Sequence, residues 1–91
     1  MISSFRDRET EKIFNRTPSR KFAMIQGRAE EKLAALHAAA QLMDLSLPSL
    51  RLEKLAGDRK GQYSIRINGQ FRVCFTWRDG NAHEVEIVDY H

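Results

Sequence analysis

The stretch that decides the fold is QYSIRINGQFRVCFTW, residues 62–77. Apolar and polar side chains alternate on both sides of Asn68-Gly69, which is the period of β-strands with one buried face. Asn-Gly is a typical two-strand turn sequence, and Asp79-Gly80 repeats the pattern at the end of the stretch. Residues 62–77 therefore predict an antiparallel hairpin, followed by a second turn.

The alternation also predicts the register of the hairpin. A two-residue loop would pair Ile65 with Arg72 and mix the apolar and polar faces. A three-residue loop over 67–69 pairs Ile65 with Phe71 instead, and it needs a left-handed residue at its third position, which glycine supplies. We therefore predict three-residue loops with glycine bulges at both turns, over 67–69 and 78–80.

Two further segments, residues 50–53 and 84–87, alternate in the same way. Together with the hairpin they predict an antiparallel sheet that has one apolar face and one polar face. Residues 2–5 are predicted to add a short edge strand. The polar face is predicted to be open, and it carries Arg51, Glu53, Ser64, Arg66 and Arg72, joined by Tyr90 if the alternation persists to the end.

The first half of the chain has a helical period. Between residues 19 and 43 the apolar positions are three or four residues apart, which predicts one long helix with Ser19 as its N-cap. A shorter helix is predicted from Asp7 to Asn15, and residues 44–48 are a connection. The fold class is thus α+β, with two N-terminal helices packed on one face of the sheet. The stripe that covers the sheet consists of Phe22, Ile25, Ala29, Leu33, Leu36, Ala40 and Met43.

Composition limits the classes of function. The 91 residues suffice for a single domain, 1–91, with a net charge of +3. No apolar run approaches the roughly 20 residues of a membrane span, and the start lacks a secretory signal, so we expect a cytoplasmic protein. The lone Cys74 forms no internal disulfide. Basic residues dominate 51–72, which suits a polyanionic partner, although a solvated surface has the same composition.

The text of residues 52–75, LEKLAGDRKGQYSIRINGQFRVCF, resembles HigB-type toxins of the RelE/ParE superfamily, also called plasmid maintenance killer proteins. The opening Met1–Phe5 and the terminal Asp89-Tyr-His fit the same family, so the resemblance covers essentially the whole chain. It implies a RelE-like fold and a toxin that inhibits translation as a ribosome-dependent endoribonuclease. It also implies a HigA-like helix-turn-helix antitoxin, through which alone operator DNA would be bound.

The resemblance implies a reaction in which the ribose 2′-hydroxyl attacks the adjacent phosphate in the ribosomal A site, with no metal or cofactor. Such a reaction needs an acid, a base and cations on the phosphate. His91 is then the acid or base, and Tyr90 donates a proton or stacks on a base. Arg72 grips the phosphate, and Asp89 orients His91.

The chain departs from the family at two positions. Several members have histidine in place of Glu53 and lysine in place of Ala56. Glu53 is therefore either the base or a salt-bridge partner of Arg66 or Arg72. The residues that we expect to bind RNA phosphates are Arg51, Lys54, Arg59, Lys60 and Arg66, although Lys54 should point to the opposite face if its strand continues.

Two other functions remain open. One is a ParE-like inhibitor of gyrase that cuts nothing, because a fold does not fix a function. The other is a degenerate toxin that acts only as a corepressor bound to its antitoxin. The terminal Asp89-Tyr-His favours the nuclease. Arg72 also has a structural alternative, an ion pair with Glu84 or Glu86 across the strands.

Overall fold

The computed structural model describes residues 1–89 and has the predicted α+β architecture. Its four strands form one antiparallel sheet in the order β1-β2-β3-β4. Tyr90 and His91, both predicted to act in catalysis, lie outside the described residues. The elements are α1 (Arg8–Phe14), α2 (Gln26–Ala38), β1 (Glu53–Lys54), β2 (Gln62–Arg66), β3 (Phe71–Arg78) and β4 (Asn81–Asp89).

The core lies between the two helices and the apolar face of the sheet, as the periodicities predict. Burial of these side chains is the main favourable term in folding. Because the helices cover this face, a functional surface on the sheet has to lie on the other side. The largest fully buried side chains of the core are Ile13, Leu33, Leu36, Leu45, Ile65, Val73, Phe75 and Val85.

Helix α1 begins and ends as predicted. The Asp7 carboxylate caps it by accepting hydrogen bonds from the Thr10 backbone N–H at 3.1 Å and from the Thr10 hydroxyl at 2.7 Å. The same hydroxyl accepts a hydrogen bond from the backbone N–H of Ile87 in β4, at 3.0 Å. One buried threonine thus joins the cap of α1 to the sheet.

The prediction of one helix from 19 to 43 is wrong in its bounds. The Ser19 hydroxyl does accept the Phe22 N–H, but a 3₁₀ turn at Ala23–Ile25 comes before α2. The helix stops because the Asp44 carboxylate accepts the backbone N–H groups of Ala40 and Gln41, both at 2.9 Å, and starts a separate 3₁₀ helix, Leu42–Leu45. The last stripe residues, Ala40 and Met43, are accordingly exposed.

The predicted register of the first hairpin is also wrong, by two residues. Ile65 pairs with Val73, so the loop consists of residues 68–70. The Asn68 side-chain oxygen accepts the N–H groups of Gln70 at 2.9 Å and Phe71 at 2.8 Å, and this Asx turn replaces the predicted glycine bulge. A shift of two residues keeps every side chain on its predicted face.

The second hairpin has a two-residue loop in place of the predicted three. Asp79 and Gly80 both have positive φ, at 53° and 77°, which is the geometry of a type I′ turn. The bulge lies inside β4 instead, where the register shifts between Cys74 and Thr76 and Glu84 has a φ of 53°. The bulge brings Ile87 opposite Val73, so apolar residues still pair with apolar ones.

The two outer segments are less regular than predicted. Residues 2–5 run parallel to β4, but they form two isolated bridges, Ile2–Ala82 and Phe5–Val85, and no continuous strand. The strand predicted over 50–53 starts only at Glu53, because Arg51 has a φ of 45° and breaks the extended chain. Neither helix is long or apolar enough to cross a bilayer within residues 1–89.

Candidate functional site

The polar face of the sheet is closed at one end and open at the other. The sequence predicts a face that is open throughout, and this is wrong at the end near β4. The register places Ser64, Arg72 and Cys74 on this face, and all three are buried. Cys74 lies near the ion pair of Arg59 with Glu86, whereas Arg72 is held by hydrogen bonds to Ser64 and to the Arg51 carbonyl.

The closed end is covered by the turn after β1. Gly57, with a φ of 64°, is the first residue of a 3₁₀ turn that directs Arg59 across the sheet, and Gly61, with a φ of 92°, follows this turn. The Arg59 guanidinium donates to Gln62 at 3.0 Å and to the Glu86 carboxylate at 3.1 Å. We expected Arg59 to bind RNA from a loop, and its charge is instead engaged with Glu86.

Two further residues complete the closed end. Arg6 Nε lies 3.6 Å from the same Glu86 oxygen, so one carboxylate is shared by two guanidinium groups. Cys74 lies on the same face, and its side chain is buried. Burial raises the pKa of the Cys74 thiol, which favours the neutral form. This end is therefore a structural cluster.

Arg72 is fixed at the other end of the face. It is only 9% exposed, and its Nε donates to the Ser64 hydroxyl at 2.7 Å. Its Nη2 donates to the backbone carbonyls of Arg51 and Ser64. Among residues 1–89, the carboxylate that lies within salt-bridge distance of Arg72 is that of Glu53, 4.0 Å away, and not that of Glu84 or Glu86. The guanidinium is thereby held in one orientation beside the strand β1.

An open cleft of about 280 Å³ lies over this arginine. Four of the predicted site residues line it together: Arg51, Glu53, Arg66 and Arg72. Arg51 is exposed and Arg66 half-buried, and neither has a salt bridge among residues 1–89. Three guanidinium groups beside one carboxylate are suited to bind a phosphate and to move a proton next to it.

Other predicted residues lie outside this cleft. Lys54 pairs with Tyr63 and so belongs to the helix-covered side of the sheet, as its place in the strand predicts. Lys60 is exposed in the turn that follows Arg59. The Asp89 carboxylate accepts a hydrogen bond from the Gln70 side chain at 3.0 Å, at the end of β4. The positions predicted to act with Asp89, Tyr90 and His91, lie beyond the described residues.

Sequence reasoning missed the part that three residues play at the cleft. Asn68 and Gly69 line it, although they were predicted only as turn residues. Ser64 was predicted to lie on the polar face, but its role as the acceptor for Arg72 was not. A serine two strand positions from an arginine, on the same face, is too common a pattern to have revealed that role.

The histidines within residues 1–89 have structural surroundings. His37 Nδ1 accepts the backbone N–H of Ile2 at 3.1 Å, and its ring lies 5.0 Å from that of Phe14. His83 Nε2 lies 3.3 Å from the Arg78 carbonyl oxygen. In this part of the chain no three histidine, cysteine or acidic side chains are grouped as metal ligands would be.

Comparison with known proteins gives one family. Residues 3–91 match a family model described as the RelE-like toxin of the type II toxin–antitoxin system HigB. Endoribonuclease HigB of Proteus vulgaris is 29% identical over 92 residues, covering all of both chains. Toxin HigB-1 of Vibrio cholerae serotype O1 is 35% identical over 85 residues, which is 90% of each chain.

Solved structures show the same fold. The toxin–antitoxin complex YoeB–YefM from Staphylococcus aureus, a heterotetramer, contains a chain that aligns with a TM-score of 0.61 at 21% identity. The alignment covers all of this chain and 98% of the other. A second structure of the YoeB–YefM complex from the same organism gives a TM-score of 0.56 at 20% identity. Helices on one side of a small antiparallel sheet are thus the shared architecture.

Proposed function

The chain belongs to the HigB family of RelE-like toxins of type II toxin–antitoxin systems, and from that membership we propose that it is an endoribonuclease that cuts messenger RNA on the ribosome. A relative that matches it over the full length is named an endoribonuclease. The observation that carries the proposal is the cleft in which Arg51, Arg66 and Arg72 converge beside Glu53.

The proposed reaction uses a nucleophile that belongs to the RNA. The ribose 2′-hydroxyl loses its proton and attacks the adjacent phosphorus, the bond to the 5′-oxygen breaks, and that oxygen leaves with a proton. The products are a 2′,3′-cyclic phosphate and a 5′-hydroxyl. Negative charge on the phosphate oxygens rises during the attack, and a fixed guanidinium stabilises it without having to reorganise. Arg72, held by Ser64 and the Arg51 carbonyl, meets that demand.

The proton transfers need a base and an acid. Glu53 is 55% exposed at the mouth of the cleft and can accept the 2′-hydroxyl proton. We assign His91 as its acid partner, with Tyr90 as a second donor or a surface on which a base stacks. Asp89 orients His91 in this scheme. No protein-bound metal takes part in it.

We also propose a HigA-like antitoxin as the partner, with operator DNA bound through that antitoxin, and a cytoplasmic place of action on the ribosome. Family membership supports the antitoxin, and the two structural neighbours are themselves toxin–antitoxin complexes. Large exposed apolar side chains outside the cleft offer a surface for such a partner, which would leave the cleft open. They include Met24, which is fully exposed, and Met43.

The test is expression without antitoxin, with growth and the 5′ ends of cellular messages as readouts. The wild-type chain should arrest growth and leave cut messages. Arg72→Ala, and a chain that ends at Asp89, should do neither. Arg78→Ala, which removes an exposed arginine on the same face but outside the cleft, should behave as wild type.

Three other outcomes would contradict the proposal. Growth arrest with intact messages and induced DNA-damage signalling would instead support a gyrase inhibitor. A folded wild-type chain that causes no arrest would support a corepressor without activity. Unchanged toxicity in both Arg72→Ala and the shortened chain would remove the cleft from the mechanism.

A further inference from the structure

A second concave surface adjoins the cleft. It is a groove of about 520 Å³ between α2 and the segment that leads into β1. Arg28 and Lys32 of α2 line one side, and Arg51 and Arg66 line the other. Glu31 is the single acidic residue in the lining. No inference from the sequence assigned a role to Arg28 or Lys32.

The charges of this groove are not neutralised within the fold. Among residues 1–89, none of Arg28, Lys32, Arg51 and Arg66 forms a salt bridge. Arg28 and Lys32 are four residues apart, so they lie on the same side of α2, where like charges destabilise a helix. An arrangement that is unfavourable in the free protein becomes favourable when an anion binds.

The groove and the cleft are direct neighbours on the surface. Arg51, Arg66 and Asn68 line both of them. A polyanion that places one phosphate over Arg72 therefore has its neighbouring phosphates directed along Arg66 and Arg51 towards α2. The backbone of a single strand is flexible enough to follow such a row of cations.

We propose that this groove binds the phosphodiester backbone of the messenger strand next to the bond that is cut. Arg28 and Lys32 are then substrate-binding residues that act before chemistry, while Arg72 acts on the reacting phosphate. This inference rests on the proposed function. The same cations would accept phosphates of ribosomal RNA, and an acidic segment of a protein would satisfy them as well, so the experiment separates these ligands.

The experiment compares two RNAs that carry a 2′-deoxy ribose at the cut position and are therefore not cleaved. One is a trinucleotide that contains the cut position, and the other is a nonanucleotide centred on the same three bases. The double variant Arg28→Gln/Lys32→Gln is measured against Arg20→Gln/Lys21→Gln, which removes two exposed cations outside the groove. Fluorescence anisotropy between 0.05 and 0.5 M salt gives the dissociation constants.

The wild-type chain should bind the nonanucleotide more tightly than the trinucleotide. Each single-strand phosphate contact contributes about 0.7 to the salt slope, so losing two lowers the slope by about 1.4 and weakens binding about 25-fold at 0.1 M salt. Trinucleotide binding should change less than about twofold in the variant. In cleavage on programmed ribosomes, the variant should raise KM and leave kcat unchanged.

Several results would overturn the inference. Equal affinity of the wild-type chain for the two RNAs, including no binding of either, excludes a strand in the groove. A variant that binds both RNAs normally but binds ribosomes weakly identifies ribosomal RNA as the ligand. A variant impaired only in binding its antitoxin identifies an acidic protein segment. Absence of cleavage by the wild-type chain would refute the proposed function, while the RNA-length effect would still report on the groove.

Discussion

The two ends of the polar sheet face carry the same kinds of residue and have opposite properties. At one end Arg6 and Arg59 share the Glu86 carboxylate, and Cys74 is buried on the same face. At the other end Arg51 and Arg66 have no salt bridge within residues 1–89. The difference shows that arginines on one sheet face are neutralised where Glu86 reaches them, and keep their charges available for an anion where no carboxylate among residues 1–89 lies as close.

The largest expected effect is that of removing the buried guanidinium at the open end. Arg72→Met should lower the free energy of unfolding by about 2–3 kcal/mol, because Ser64 and the Arg51 carbonyl lose their donor in a buried place. Arg72→Lys should lose less, since it keeps a charge and one donor. Urea unfolding measures both variants. A stability equal to wild type for Arg72→Met would show that the guanidinium does not hold this end together.

Removing the shared carboxylate at the closed end should lower the free energy of unfolding by a smaller amount. Glu86→Gln should destabilise the fold by about 1–2 kcal/mol, because the Arg59 guanidinium would lose its charged partner in a half-buried place. Glu84→Gln, an exposed change in the same strand, is the control and should be nearly neutral. Binding of the trinucleotide in the cleft should stay within about twofold of wild type. Equal losses of stability in the two variants would contradict a structural role for the cluster.

Substitutions of Arg51 can separate the effect of backbone conformation on stability from the effect of charge on RNA binding. Its φ of 45° is left-handed, where glycine is more favourable than other residues by about 1 kcal/mol. Arg51→Gly should therefore be more stable than Arg51→Ala by about that amount, whereas both should lose the same RNA affinity. Thermal unfolding and anisotropy give the two quantities. A higher RNA affinity of one variant would show that the backbone at this position also shapes the cleft.

The smallest effect concerns Cys74 at the closed end. Because burial raises the pKa of its thiol, the unfolded chain ionises first, at about pH 8.5. The thiol's contribution to stability is complete below that pH and is lost as the pH rises through the folded pKa. Cys74→Ala should flatten this alkaline decline in urea titrations between pH 7 and 10. A decline as steep as that of wild type would place its cause elsewhere.

The sequence predicts correctly which face of each element is buried, but it does not predict where each element begins and ends. Alternation predicts on which side of the sheet Ile65, Val73 and Phe75 lie, because the side-chain period of a strand is two. The pairing register of the two hairpins was not predicted correctly. In the first hairpin the Asn68 side chain forms the turn, and in the second the bulge lies at Glu84 inside β4. The end of α2 was also predicted wrongly because of a side chain, since the Asp44 carboxylate accepts a backbone N–H group that would otherwise continue the helix.

Four of the six residues that line the cleft were predictable. Glu53, Arg66 and Arg72 share a face of neighbouring strands, and alternation alone predicts that shared face. The Arg59–Glu86 pair was not predictable, because its members are 27 residues apart and no local pattern connects them. The groove was not predictable either. Arg28 and Lys32 belong to α2, and the position of this helix beside the segment before β1 depends on the tertiary structure.

The outer side of β4 has a consequence for association. The N-terminal residues exchange backbone hydrogen bonds with Ala82 and Val85, and the Thr10 hydroxyl takes the N–H of Ile87. These donors and acceptors are therefore unavailable as a template for a foreign strand, and the opposite border of the sheet is the two-residue β1. Aggregation by addition of a strand to β4 is therefore disfavoured. A polypeptide that wraps around this molecule has to contact the β4 side mainly through side chains.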